Sequence, residues 1–395
     1  MSLHDEARAE AKRLLDWWAA HLVDDRGGFY GEIDADDRPV LDASKSIILN
    51  TRLLWFFSAM AGWSGDDRAL ALAHRTADYI RDHFHDAEQG GLCWLLDADG
   101  QPEDTRKQAY AQAFAVYAFA EYHQATGNAA ALAFARDLQA LIEAKYRDVD
   151  RGGYTEALSA NWKALPDQRL SDKDLNAPKT MNTHLHILEA YSRLYAVAPS
   201  SESRAALQGI LSLFLDRFIT PEGHLRLFFN MDWNDLSRSV SYGHDIEASW
   251  LIWEAAADLG DEALLARARP VVLALAEAAR NEGMNEAGAL AYEKGFDGHL
   301  DPDGEWWEQA EALVGFVNAW RMTGDADWLG AAEKVWEYTK AQYGAGGTTE
   351  WTWYAASASK GRICKAGQWK CPYHNGRAMI ELDRRLKETN YPPLQ

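Results

Sequence analysis

The chain has 395 residues, with 40 Lys and Arg against 60 Asp and Glu, so its formal charge is −20. That balance argues against a nucleic-acid or anionic-membrane surface, because both need a basic stripe and no Lys/Arg cluster is present. No apolar run approaches the ~18 residues of a membrane span. The first fifteen residues carry acids from Asp5 onward and no apolar h-region, so they do not read as a secretory leader. Cys93, Cys364 and Cys371 have neither disulfide-framework nor zinc spacing, and a cytoplasmic setting is expected.

In chain order, helices charged on one face alternate with more uniformly apolar ones. DEARAEAKRLLDWW (5–18) and DDRALALAHRTADYIRDHF (66–84) are of the first kind. NTRLLWFFSAM (50–60), AFAVYAFAEY (113–122), HDIEASWLIWEAA (244–256) and EALVGFVNAW (311–320) are of the second, the pattern of a helix buried on most sides. The segment 204–218 is apolar at Leu207, Ile210, Leu211, Phe214 and Phe218, close to the helical period.

A short connector recurs between helices: Trp63-Ser-Gly-Asp-Asp67, Ala125-Thr-Gly-Asn128, Asp258-Leu-Gly-Asp261 and Met322-Thr-Gly-Asp325, with Ala198-Pro-Ser-Ser201 in the same slot. Gly suits the left-handed position that ends one helix, and Asp or Asn suits the N-cap of the next. Between connectors lie Gly-aromatic loops: Gly27-Gly28-Phe29, Gly90-Gly91-Leu92, Gly152-Gly153-Tyr154, Gly223-His224-Leu225, Gly288-Ala289-Leu290 and Gly346-Gly347-Thr348. Six loops imply six units of helix, long loop, helix and tight turn. The expectation is an all-α fold, an (α/α)6 barrel forming one domain over residues 1–395, with some short strand pairing in the long loops.

Tight turns from each inner helix to the next outer one make all inner helices parallel. Their first turns then converge at one end of the barrel, beneath the loops. Those turns hold Asn50 and Arg52; Gln108, Tyr110 and Gln112; Asn182, His184 and His186; His244, Asp245 and Glu247; Trp306, Trp307, Glu308 and Glu311; and Trp369, Lys370, Tyr373, His374, Asn375 and Arg377. Titratable groups gathered in a cleft mark a candidate site. Glu247 shares a helix face with His244. His184 and His186 are about 200° apart around the helix, so only one faces the lumen; the expectation falls on His184. Trp17, Trp18, Trp55, Trp320 and Trp336 read as core, whereas Trp306, Trp307, Trp351, Trp353 and Trp369 are candidates for stacking. Lys45, Lys107 and the run Asp34–Asp37 read as surface.

With 17 Trp, 16 Tyr and 13 Phe in an acidic chain, carbohydrate chemistry is the natural direction. Sugar C–H faces pack on aromatic rings, and carboxylates and imidazoles bind hydroxyls. At the first turns the sequence resembles the cellobiose 2-epimerases, within the N-acylglucosamine 2-epimerase superfamily. The resemblance rests on Met181-Asn-Thr-His-Leu-His-Ile-Leu-Glu-Ala-Tyr191, Ser241-Tyr-Gly-His-Asp-Ile-Glu-Ala-Ser-Trp250, Glu305-Trp-Trp-Glu-Gln-Ala-Glu311, Trp369-Lys-Cys-Pro-Tyr-His-Asn-Gly-Arg377 and Asn50-Thr-Arg52. It implies the (α/α)6 fold and no metal or nucleotide cofactor. It implies that His244 and His374 exchange protons and that His184 supports them. Arg52, Tyr110, Asn182, Glu247, Trp250, Trp307, Glu311 and Trp369 are then expected to bind or position a small-molecule sugar. Where the family often has Pro after the tandem Trp, this chain has Glu308. A monomer or homodimer is expected.

The chemistry suits these residue types. Epimerisation at C2 of a reducing sugar opens the ring, removes the proton α to the aldehyde and returns it to the other face. Histidine is the usual base near neutral pH. A 2-epimerase or an aldose–ketose isomerase acting on free mannose or glucose would use the same scaffold. A glycoside hydrolase could draw on Glu247 and Glu311, but hydrolysis gives no reason for converging histidines. A non-catalytic sugar-binding toroid needs no tuned acid/base pairs.

Overall fold

The structure is a computed structural model that describes residues 1–361 and 363–387. Among the described residues, twelve α-helices alternate between two rings. The outer ring comprises α1 (Leu3–His21), α3 (Asp67–Tyr79), α5 (Ala129–Lys145), α7 (Ser201–Leu213), α9 (Glu262–Ala278) and α11 (Ala326–Tyr343). The inner ring comprises α2 (Ile47–Ser64), α4 (Ala109–Thr126), α6 (Met181–Val197), α8 (Tyr242–Leu259), α10 (Trp306–Thr323) and α12 (Tyr373–Lys387). Each inner helix packs on the next, and α12 returns to α2, so the toroid closes. The expected (α/α)6 barrel is the observed architecture.

The tight turns form as their residues require. Gly65, Gly127, Gly260 and Gly324 end α2, α4, α8 and α10 in left-handed geometry. Asp66, Asn128, Asp261 and Asp325 then cap the following outer helices through their side-chain oxygens. At the Pro-Ser connector, Ser200 caps α7 in a capping box with Ser203. The chain therefore reverses within two or three residues at one end, and the longer loops all lie at the other.

Those loops make a rim of short antiparallel pairings. Lys45–Ser46 pairs with Leu95–Leu96, Lys107–Gln108 with Ala157–Leu158, Lys179–Thr180 with Phe228–Phe229, and Ser239–Ser241 with Glu293–Gly295. Single bridges, Glu305 to Tyr354 and Ile33 to Ala366, complete the circuit. Each unit's strand thus enters the next unit's loop, and the rim holds the inner-helix N-termini in register.

A second device corrects the sequence reading. Lys45 and Lys107 are buried, not surface. Two residues before an inner helix begins, Lys45, Lys107 and Lys179 each turn their ammonium back into the preceding loop. They meet Asp24, Asp86 and Asp148 at 2.8 Å and bond the carbonyls of Gly27, Gly90 and Gly152. Lys370 makes the corresponding contact with Glu350, 2.9 Å away. An ammonium is tolerated there because a carboxylate and a carbonyl together replace its water.

Removing one partner leaves a buried charge uncompensated, a loss of about 3–5 kcal/mol. Lys179→Met is therefore expected to lower the urea midpoint by that equivalent with an unchanged m-value. A midpoint equal to the parent's would contradict the assignment.

Candidate active site

In units one, two, three and six, position one is the residue two places after the buried lysine; in units four and five, which hold Val240 and Gly304 in the lysine's place, it is Tyr242 and Trp306. Position six is then Arg52, Phe114, His186, Glu247, Glu311 and Arg377 in the six units. These side chains point into the barrel. Position three supplies His244 and His374, and position two supplies Tyr110, Asn182, Trp307 and Tyr373. Together they build one site at the N-terminal end of the inner ring.

At its floor the guanidinium of Arg377 lies among three carboxylates. Its Nη2 donates to Glu247 Oε1 at 2.8 Å and to Glu311 Oε1 at 2.7 Å, and its Nη1 donates to Glu189. Trp250 Nε1 donates to Glu311 Oε2 at 3.0 Å. With both Glu311 oxygens accepting, the 2.6 Å contact from His374 Nδ1 to Glu311 Oε1 is an N–H donation. His374 Nε2 is left to face the mouth. His186 Nδ1 is tied to Glu189 Oε2 at 2.9 Å, and Tyr373 OH donates to the same carboxylate. His244 Nδ1 shares a hydrogen bond with Ser241 Oγ at 2.8 Å. Each lumenal imidazole thus has Nδ1 anchored in the protein.

The Trp307 ring lies against both proton-transfer candidates, 4.8 Å from the His244 ring and 5.5 Å from that of His374 between centroids. Its Nε1 donates to Glu305. Gly243, the residue before His244, allows this packing: a Cβ there would lie 2.6 Å from the Trp307 ring. Trp369 flanks Tyr110 at 6.1 Å. Trp307, Trp353 and Trp369 are half-buried at the mouth, whereas Trp306 and Trp351 are core.

Arg52 is buried, yet among the described residues it pairs with no carboxylate. Its Nη2 donates to Tyr110 OH at 2.7 Å, its Nη1 approaches Cys371 Sγ, and its plane lies over Phe114 and Tyr373. A desolvated cation without an anion is poised for negative charge that develops during a reaction. Beside His244 a cavity of about 610 Å³ opens, lined by Asn182, Ser241, Arg169, Lys173 and Tyr292. Asn182 Oδ1 has no hydrogen-bond partner among the described residues.

Electrostatics favour neutral imidazoles. Enclosure by protein lowers His244 to about 3 and pushes His374 well below its ordinary value, where Arg52 and Arg377 add to the effect. His186 is lowered by burial, against the pull of Glu189. Burial raises Glu247 to about 8 and raises Glu311, with Arg377 opposing both. Oxygens of Glu247 and Glu311 and a nitrogen of His374 converge within 4.8 Å of one another, in the manner of a metal site. The Arg377 guanidinium already bonds both carboxylates and supplies the positive charge a cation would bring.

Two expectations are corrected. His184 does not face the lumen. Its Nε2 accepts from Tyr154 N–H at 2.9 Å and its Nδ1 meets Thr180 O at 2.6 Å, so both nitrogens are spent within unit three. It occupies position four, where Gln112, Asp245 and Gln309 likewise bond the loop backbone at Leu92, Leu225 and Leu290. Gly153 must lack a side chain there, since a Cβ would lie 2.8 Å from His184 Nε2. His186 takes the lumenal place. Glu247, expected beside His244, bonds Arg377 instead. Sequence reasoning also missed Glu189 and Ser241; aligning the first turns of the six inner helices on one another would have separated lumenal from loop-facing positions.

The profile of the N-acylglucosamine 2-epimerase (GlcNAc 2-epimerase) family matches residues 28–376. A cellobiose 2-epimerase of Bacteroides fragilis is 44% identical over 375 residues, 94% of this chain and 95% of that one. One of Ruminococcus albus is 36% identical, covering 93% and 95%. The solved cellobiose 2-epimerase of Bacillus thermoamylovorans superposes with a TM-score of 0.91 at 36% identity, over 97% and 99%.

Burial lowers His184 to about 4 against 6.5 for free imidazole. Between those values the unfolded chain binds more protons, so stability is intact above about pH 6.5 and falls as pH drops toward 4. His184→Leu should reduce that acid slope by up to about 1.4 kcal/mol per pH unit. It should also cost about 1–3 kcal/mol at neutral pH, because Tyr154 N–H loses its acceptor, and leave turnover per folded molecule near the parent's. Denaturation across pH, with activity, checks this. Lost turnover at full stability would restore His184 to the site.

Proposed function

The chain belongs to the N-acylglucosamine 2-epimerase family, and from that premise we propose that it interconverts the glucose and mannose configurations at C2 of the reducing residue of a β-1,4-linked disaccharide such as cellobiose, lactose or mannobiose. The observation that carries the reading is that the rings of His244 and His374 both lie against Trp307, with His374 Nδ1 committed to Glu311 so that its Nε2 is the nitrogen left for proton transfer. The Bacteroides and Ruminococcus relatives are named for action on cellobiose. The cavity beside His244, with Asn182, Arg169 and Lys173 on its walls, offers room and hydroxyl partners for a second sugar residue.

The chain's residues account for each step. The opened sugar presents an aldehyde at C1 and an acidic C–H at C2. A neutral imidazole Nε2 takes the C2 proton, and the C–H electron pair moves into a C1–C2 double bond while the carbonyl oxygen becomes an enediolate. Arg52 lies within the same floor to balance that charge, its guanidinium paired with no carboxylate among the described residues. The imidazolium so formed passes its proton through solvent to the opposite histidine, which delivers it to the other face of C2 after rotation about C2–C3, and the carbonyl re-forms. Glu311 orients His374 and stabilises its imidazolium while the proton is held. Position near a helix N-terminus and burial both keep the resting imidazoles neutral and able to accept.

His244→Ala and His374→Ala are each expected to cut turnover at least ~10²–10⁴-fold with the circular-dichroism spectrum unchanged. Reaction in D₂O should place deuterium at C2 of the epimer, read by NMR with cellobiose, lactose, mannobiose, mannose and glucose in parallel. Return of the proton to C1 would yield a ketose and make the chain an isomerase. Unlabelled epimer together with active histidine variants would overturn the proton-transfer reading.

A further inference from the structure

The layer below the catalytic floor holds one residue that the proposed reaction does not use directly. At position nine of the inner helices five units place Trp55, Tyr117, Trp250, Val314 and Ile380, a ring of apolar and aromatic side chains. Unit three places Glu189 there, 4% exposed. A carboxylate in such a layer is costly unless every oxygen is matched. It is matched by donors from two helices: Arg377 Nη1, Tyr373 OH and His186 Nδ1. Burial alone would raise it, but Arg377 and His186 bring it down to about 2, so it stays ionised. An ionised carboxylate only accepts, and that decides the tautomer of its neighbour.

We propose that Glu189 is a positioning residue that holds His186 as the Nδ1–H tautomer, so that His186 Nε2 meets the sugar as a hydrogen-bond acceptor for a hydroxyl beside the reacting carbon. The proposal rests on the epimerase reading for the role of that hydroxyl, but the tautomer itself is a property of the resting protein. His186 sits edge-on to Tyr110 at 5.0 Å and against Phe114 at 4.7 Å, so its ring plane is fixed by packing and only its proton position is left to be set. Arg52, stacked on Phe114 and bonded to Tyr110, lines the same wall. An acceptor at Nε2 beside a donor at Arg52 gives a sugar C–OH and its neighbouring oxyanion opposite partners. A donor at both places would serve only the anion.

The test is Glu189→Gln. Its carboxamide oxygen is expected to keep the stronger partner, Arg377, which leaves the NH₂ group facing His186 Nδ1. That nitrogen must then accept, and the proton moves to Nε2. In ¹⁵N-histidine-labelled protein without substrate, the His186 signals, assigned with His186→Asn, should exchange their protonated and unprotonated shifts relative to the parent. Turnover should fall at least tenfold. In the His186→Asn background, adding Glu189→Gln should cost kcat a smaller factor than it does in the parent, because the route through His186 is gone while the change at Arg377 is common to both backgrounds. Glu189→Asp, which keeps the charge, should retain the Nδ1–H tautomer, and it carries the test if the Gln variant does not fold. Parent-like tautomer in Glu189→Gln, tautomer loss in Glu189→Asp, or a full additive loss in the His186→Asn background each overturns the proposal. Failure of the epimerase reading would instead appear as absence of C2 label from the parent protein, with the imidazole signals unaffected.

Discussion

A single guanidinium organises the site. Arg377 reaches Glu189, Glu247 and Glu311, which come from α6, α8 and α10, and so ties four of the six inner helices together. Behind it the carboxylates orient groups of their own. Glu311 holds His374 and takes Trp250 Nε1; Glu189 holds His186 and Tyr373. Three carboxylates on one buried cation leave excess negative charge, and the protein answers by burial, which raises Glu247 and Glu311. A buried network of this kind is weak support for stability in itself. Its contribution is geometric: removing Arg377 would leave three buried carboxylates without their shared cation.

The fold can carry that network because its stability is secured elsewhere. Inner helices are apolar around most of their circumference, and the rim of paired strands with its buried lysines fixes where each begins. The inner ring can therefore give its lumenal positions to polar chemistry without losing register. Arg52 is the clearest case. It is stacked between aromatic rings with no carboxylate partner among the described residues, an arrangement that favours an anion arriving from outside.

The architecture was legible in the sequence because its punctuation is local. Gly65-Asp66, Gly127-Asn128, Gly260-Asp261 and Gly324-Asp325 each state a helix end and a helix start in adjacent residues. Parallel inner helices follow, and with them the convergence of His244, His374, Arg52 and Glu311. What failed depended on direction around a helix axis. His184 and His186 lie two residues apart, and their sequence neighbours do not decide between them. The decision comes from the other units, where position four holds side chains that bond the loop backbone. Lys45 and Lys107 were misread because a charged residue next to an acidic turn ordinarily lies in water; only the Asp24 and Asp86 partners across the loop reverse that expectation. Glu189 carries no signal of its own in an apolar helix and becomes meaningful only beside Arg377, far along the chain.

The most direct test of the central claim is a crystal structure with an open-chain disaccharide analogue bound in the mouth. The account predicts C2 of the reducing residue between the two imidazoles, with His244 and His374 nitrogens approaching opposite faces at about 3–3.5 Å and an analogue oxygen on Arg52. A ligand whose C2 lies beyond reach of either imidazole, or that meets both on one face, would contradict it.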